Sequence, residues 1–414
     1  MISVEQALQT IANSAQDFGV EEIPLLQSLG RILKEEIKAD RDFPPFHRVA
    51  MDGIVIDYSQ FQKGQRSFKI EGIQPAGSEQ VLLKNPSNCI EVMTGAVLPM
   101  HANAVIRYED IRIEKGVATI LLNEICEAQN IHQQGKDSKK GQVLIKQNTR
   151  ISAAEIGVLA TVGKDKVKVA KNPKVMIVST GNELVDVGAI PLAHQIRRSN
   201  VFTLVSLLER LHIPSETAHI SDDKWLLKAK VETYLTQYDV LLFSGAVSKG
   251  KYDFLPEVLD QLGVEKLFHT VAQRPGKPFW FGKSTLLLAS HQDVPLKKEK
   301  NQTKNTLVFA FPGNPISTFV NCLVYFYPWY HKSIGLKEEE ETAILAEDVS
   351  FKPSLTYFLQ VTVNCRFGHL IATPIQGNGS GDLASLVHSN AFIQLPKEQA
   401  AFVKGAAYKI IRYR

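Results

Sequence analysis

Little in this chain provides for cross-linking, secretion or membrane insertion. Its four cysteines, Cys89, Cys126, Cys322 and Cys365, stand far apart with no C-x-x-C pair, which argues against a disulfide framework or a structural zinc site. No stretch approaches the roughly 20 apolar residues that a membrane helix requires. Met1 to Leu8 carries acid where a secretory signal needs a basic and then an apolar run. A net charge of +4 over 414 residues gives no general support for a nucleic-acid partner. No repeat of fixed period is visible. The expectation is a soluble, cytoplasmic protein with neither a nucleic-acid nor a membrane partner.

What is present is an ordinary folded composition, 44% apolar and 22% charged, in a chain longer than one usual core. Ser3 with Gln6 forms a capping box for a helix over Ser3 to Ala12. A second helical stretch is predicted around Ile23 to Ala39, ended by Pro44-Pro45. From Ala50 to about Glu127, short alternating apolar runs broken by glycine, proline and asparagine read as a small β domain. Thr149 to Val162 returns to helix with Ser152 as cap. Residues 171 to 333 then alternate strand and helix, the rhythm of a parallel, doubly wound sheet. The lysine- and glutamine-rich segment Asp293 to Lys304 reads as a solvated loop. Alternation from Leu355 onward predicts a carboxy-terminal β domain.

Three apolar strands of the middle third run straight into loops of small residues. Val175 to Val178 leads into Ser179-Thr180-Gly181-Asn182-Glu183, Val240 to Phe243 into Ser244 through Gly250, and Leu307 to Phe311 into Pro312-Gly313-Asn314-Pro315. Such loops turn backbone N–H groups toward an anion, and a following helix adds its positive end. On one parallel sheet they share the carboxyl edge, where open α/β sheets bind ligands. A phosphorylated small molecule is the leading ligand class. Asp253, just beyond the second loop, is either a hard-oxygen ligand for Mg²⁺ or a helix cap. Glu183 is either a ligand group or a partner for a helix dipole. Ser199-Asn200 opens a helix and is read equally as cap or contact. Asn314 and Pro315 make good helix-start chemistry by themselves. Arg274-Pro275-Gly276-Lys277-Pro278 presents two cations on a stiff turn suited to oxyanions. Gly282-Lys283-Ser284-Thr285 only imitates a P-loop, because the required glycine position, 277, holds lysine.

Pro45-Phe46 to Asp52-Gly53, Met93-Thr94-Gly95-Ala96, Gly135 to Asp137, Ser179 to Glu183, Ser199-Asn200, Ser244-Gly245 to Asp253, Pro275 to Pro278 and Pro312 to Pro315 occur in this order over nearly the whole chain. In this arrangement the sequence resembles the molybdopterin molybdenumtransferases, the MoeA family, to which the gephyrin E domain is similar. The resemblance implies a discontinuous amino-terminal linker or helical domain (residues 1–45 and 141–170), a small β domain (46–140), an α/β molybdopterin-binding domain (171–335) and a carboxy-terminal β domain (336–414). It implies insertion of molybdenum from molybdate into adenylylated molybdopterin, with Mg²⁺ and release of AMP. It further implies a homodimer with a shared active site, and traffic with other molybdenum cofactor biosynthesis proteins.

By that resemblance Glu183, Asp222, Asp253, Arg274 and Lys277 come from one chain, with Glu183, Asp222 and Asp253 toward the metal. Asp52, Thr94 and Asp137 come from the other chain's β domain. Ser179, Thr180, Gly181, Ser199 and Asn200 would contact the substrate. So would Ser244, Gly245, Ser248, Gly250, Pro275 and Gly276, and Pro312, Gly313, Asn314 and Ser317. Four positions depart from the family pattern: Ala246 for a glycine, Lys251 for an acid, Thr270 for a lysine facing the oxyanion, and Gln360 near an expected arginine. Loss of a charged contact typically costs about 1.5–3 kcal/mol. The alternative reading is therefore a weakly active or non-catalytic homologue that binds molybdopterin or acts as a scaffold.

Overall fold

The computed structural model describes residues 1–245, 247, 253–287, 303–337 and 339–414. The predicted capping box forms: Ser3 Oγ accepts from Gln6 N at 3.2 Å and Gln6 Oε1 from Ser3 N at 2.9 Å. The helix Val4–Asn13 then buries Val4, Ala7 and Ile11. The helix expected over Ile23 to Ala39 does not form. Val20–Pro24 is a strand paired antiparallel with Lys166–Ala170, Leu25–Ser28 is a 3₁₀ turn, and Ile37–Lys38 pairs with Val143–Ile145. Pro24 and Gly30 interrupt what reads as a helical period, and strand partners in residues 143–145 and 166–170 supply the backbone bonds instead. These pairings join the first 38 residues to residues 143–170. There Ser152 and Glu155 close a second capping box before the helix Ala153–Thr161.

The small β region is a six-stranded mixed sheet over a core that includes Ile54, Ile56, Phe68, Cys89 and Ile106, all fully buried. Its short strand Arg48–Val49 pairs with Ile131–His132, outside the main sheet.

The central sheet contains six strands, numbered here within the sheet: β1 Val175–Thr180, β2 Ser215–Ile220, β3 Val240–Ser244, β4 Glu265–His269, β5 Trp280–Leu287 and β6 Thr303–Phe311, in the order β2-β1-β3-β6-β5-β4. The four strands β2, β1, β3 and β6 are parallel as expected, whereas β5 and β4 run antiparallel. The mixed edge corrects the all-parallel reading. β5 pairs directly with its successor β6 and needs no helical crossover between them. Residues Gly282 to Thr285 lie within β5, away from any phosphate loop.

Val175, Ile177, Leu242 and Phe309 pack on one face with the helices Ser199–Glu209 and Pro315–Asn321. Met176, Val178, Leu241 and Val308 pack on the other with Lys224–Gln237 and Leu255–Gln261. Burial on both faces explains why these strands read as unbroken apolar runs.

The carboxy-terminal strands close into a small barrel: Thr356–Arg366 pairs with both His369–Pro374 and Ala391–Leu395, and Glu341–Leu345 and Ala407–Arg412 complete the ring. Gln273–Arg274, from the α/β region, adds in parallel to Thr356–Tyr357. Among the described residues no helix is long and apolar enough to cross a membrane.

Candidate active site

Two adjoining cavities, of about 720 and 520 Å³, open at the carboxyl edge of the central sheet and share Glu183, Ile196, Gly313 and Asn314 as lining residues. The smaller holds Ser179, Thr180, Gly181, Ser199, Asn200, Asp222, Ser244, Gly245 and Asp253. The larger lies between the α/β region and the barrel, with Arg274, Pro275, Gly276, Lys277, Pro312 and Ser317 facing Tyr357, Gln360 and Ser380. They form one cleft, with Asp222 and Asp253 beside Arg197 and Arg198 at one end, Arg274 and Lys277 at the other, and Glu183 lining both. Ser248 and Gly250 lie outside the described residues, as do Ala246 and Lys251.

Hydrogen bonds between loops hold several of these groups in place. Asn182 and Asp222 clamp each other: Asn182 N donates to Asp222 Oδ2 and Asp222 N to Asn182 Oδ1, both at 3.1 Å. This ties the loop after β1 to the loop after β2 and fixes the Asp222 carboxylate. Gly181, at φ +130°, leaves space that Glu183 uses, since a methyl there would lie 2.4 Å from Glu183 Oε2. Asn200 joins the other two loops, donating to Ser244 Oγ at 2.8 Å and Gly313 O at 2.7 Å. Asn200 therefore ties loops together rather than capping the helix Ser199–Glu209, whose N-cap residue Arg198 makes no side-chain cap bond. Asn314 likewise makes no cap bond and donates to Ser380 Oγ at 2.9 Å, bridging to the barrel side.

Beneath the cationic turn lies a buried polar network that sequence reasoning missed. Gln273 Nε2 donates to Asn321 Oδ1 at 2.7 Å and to Pro275 O at 2.9 Å, Tyr325 Oη donates to Gln273 Oε1, and Asn321 Nδ2 reaches Gly276 O at 3.2 Å. Gln273, Asn321 and Tyr325 are fully buried. Fully satisfied networks of this kind fix geometry, so the exposed Arg274 and Lys277 project from a rigid base. No carboxylate among the described residues pairs with either cation within 4 Å, whereas Arg198 at the other end pairs with Asp186.

Three expectations need correction or limitation. Glu183, Asp222 and Asp253 share the smaller cavity, yet among the described residues no three His, Cys, Asp or Glu side chains gather closely enough to hold a metal ion. Thr270 lines neither cavity. Its N–H donates to Phe279 O at 2.9 Å and its carbonyl accepts from Ile2 N at 3.2 Å. Gln360 does line the larger cavity, 7% exposed, with Nε2 lacking a partner.

Asp52, Thr94 and Asp137 form a separate group on the small β region, and no residue from 46 to 140 lines either cavity of the same chain. Backbone bonds from Gly95 N to Val49 O, Val49 N to Ala96 O and Ala50 N to Asn130 O, all 2.9 Å, gather the three loops. Asp52 Oδ1 accepts from Thr94 N at 2.5 Å and from Thr94 Oγ1 at 2.7 Å, and these two bonds hold its carboxyl below the ordinary value. His132, not singled out by sequence, contacts Asp137 at 2.8 Å. Its only signal was proximity to the Gly135-to-Asp137 motif.

Residues 2–163 match the MoeA N-terminal region (domain I and II), 176–331 the probable molybdopterin binding domain and 342–412 the MoeA C-terminal region (domain IV). A molybdopterin molybdenumtransferase of Synechocystis is 36% identical over 411 residues, covering 99% of each chain. One from Bacillus subtilis is 29% identical over 425 residues, covering all of this chain and 94% of its own. The crystal structure of the molybdopterin biosynthesis MoeA protein from Pyrococcus horikoshii OT3 superposes with a TM-score of 0.79 at 26% identity, covering 100% of both chains. Full-length likeness to named transferases favours the enzyme over a scaffold, and the chain belongs to the MoeA family of molybdopterin molybdenumtransferases.

Proposed function

We propose that this transferase of molybdenum cofactor biosynthesis takes adenylylated molybdopterin and molybdate as substrates, requires Mg²⁺, and releases AMP as molybdenum enters the dithiolene. The observation that carries this reading is the single cleft with Asp222 and Asp253 toward one end, Arg274 and Lys277 toward the other, and Glu183 lining both. A pyrophosphate and a dianionic oxyanion repel each other by several kcal/mol at short range. Fixed cations offset that repulsion at the oxyanion end. At the other end the Thr180 and Ser244 hydroxyls would face the phosphates, since the Gly181 and Gly245 N–H groups already donate to Ile220 O at 3.3 Å and Phe311 O at 3.1 Å. The protein supplies position and charge more than covalent chemistry.

Glu183, Asp222 and Asp253 would hold Mg²⁺. Mg²⁺ is usually bound by one or two carboxylates together with substrate phosphates and water, so three carboxylates spread around one cavity suit an ion that arrives with its phosphates. When bound it would neutralise pyrophosphate charge. Asp52, Thr94 and Asp137 would reach the cleft from a second chain in a homodimer, which accords with their absence from the lining of their own. Delivery of the adenylylated substrate would fall to other molybdenum cofactor biosynthesis proteins.

The test is purified protein with adenylylated molybdopterin, molybdate and Mg²⁺. AMP release with molybdenum insertion is expected, lost in Asp253→Ala. Tight ligand binding without turnover in the unaltered protein would overturn the proposal and return the scaffold reading.

A further inference from the structure

The small β region carries an ordered trio, Arg48, His132 and Asp137, whose middle member lies outside every motif. His132 stands directly opposite Arg48 in the strand pair Arg48–Val49 with Ile131–His132. Arg48 Nη2 lies 3.1 Å from His132 Nδ1, and His132 Nε2 lies 2.8 Å from Asp137 Oδ1. A guanidinium is always protonated and only donates, so Nδ1 must be the acceptor. The imidazole proton then sits on Nε2 and is donated to the carboxylate. The loop carrying Asp137 is held independently, by Gly135 N to Pro44 O and Asp137 N to Phe43 O at 2.9 Å and Ser138 N to Phe43 O at 3.1 Å. His132 therefore has little to do with where the backbone of Asp137 lies, and much to do with how its carboxylate is turned.

We infer that His132 is a positioning residue: Arg48 fixes it as the Nε2–H tautomer, and in that form it orients the Asp137 carboxylate, leaving the second carboxylate oxygen for the ligand. The inference rests on Asp137 belonging to the proposed active site, and it adds two residues, Arg48 and His132, to the machinery. A neutral imidazole is suited to this place. It delivers a directed donor to the carboxylate while the positive charge stays one residue further back, on Arg48.

Three measurements decide the matter. In ¹⁵N spectra of the full-length protein, His132 is expected as the Nε2–H tautomer, shifting toward a tautomer mixture in Arg48→Met. His132→Leu should lower kcat on the order of 10-fold, the scale of a lost hydrogen bond to a charged group, with the substrate KM nearly unchanged and the circular dichroism spectrum preserved. His132→Gln, whose amide can donate from nearly the same place, should recover most of the rate. An Nδ1–H tautomer, a fully active His132→Leu, or a His132→Gln no better than His132→Leu would each overturn the inference. Full turnover by Asp137→Ala would remove Asp137 from the site and the positioning role with it. That result differs from an unaltered protein that inserts no molybdenum, which would overturn the proposed reaction while the tautomer measurement still stood.

Discussion

Gly276 and Asn321 meet so closely that neither can change alone. A methyl on Gly276 would lie 2.5 Å from Asn321 Oδ1, at a backbone φ of +86°. Strain in the left-handed region costs about 1–2 kcal/mol for a residue with a Cβ. Gly276→Ala is therefore expected to lower thermal stability by roughly that amount and to move the molybdate dependence of the reaction to higher concentration, since displaced Asn321 loosens the turn bearing Lys277. A melting curve and a molybdate titration check both halves. At Asp52 the expectation is electrostatic. Its two bonds from Thr94 favour the ionised form, and Thr94→Val removes the hydroxyl donor while the backbone N–H stays. The Asp52 carboxyl should then rise part of the way back toward 3.8, its ordinary value, as read by ¹³C NMR titration. For a depressed carboxyl the stabilisation is present above the unfolded-state value and lost as pH falls through the folded one. The variant should thus be less stable than the parent at neutral pH, with the difference vanishing as pH falls below the folded value.

Among elements, the cationic turn depends most on what lies beneath it. Replacing Gln273 with leucine leaves Asn321 and Tyr325 without their buried partners, and each such loss costs about 1–3 kcal/mol. Gln273→Leu is expected to melt earlier and to weaken oxyanion binding although neither Arg274 nor Lys277 is touched. Equal molybdate affinity in the variant would show that the turn is rigid by itself. This network was not legible in the sequence, because Gln273 finds its partners 48 and 52 residues away. The strand ends were legible, since β1, β3 and β6 are buried on both faces and end in glycine, serine and proline. The capping box at Ser3 and the cap at Ser152 were legible because each is written within four consecutive residues. The stretch Ile23 to Ala39 was misread because its apolar spacing imitates a helix, while its hydrogen-bond partners lie in residues 143 to 170. Local pattern reveals what local bonds satisfy, and long-range pairing overrides it.

At the scale of the whole molecule, carboxylates and threonine on the small β region stand apart from the cleft that they are proposed to complete. If two chains share each site, Asp52→Ala and Asp253→Ala place their lesions in different chains of a mixed dimer. After dissociation and random re-pairing of equal amounts, about a quarter of all sites carry neither lesion, given two-fold symmetry. Each variant alone is expected to be inactive and the re-paired mixture to regain activity of that order. A mixture as inactive as its parts would mean that both residues serve one chain's site.

The short parallel pairing of Gln273–Arg274 with Thr356–Tyr357 has a bearing on how this chain could be divided. One of the two cations takes its direction from main-chain bonds to the barrel, so cutting the chain after residue 336 would leave every loop of the central sheet in sequence yet unmoor the guanidinium. Such a fragment would keep its acidic end and grip an oxyanion poorly. The last seventy-odd residues are in that sense a splint for the active site, set from outside the domain that holds most of its chemistry.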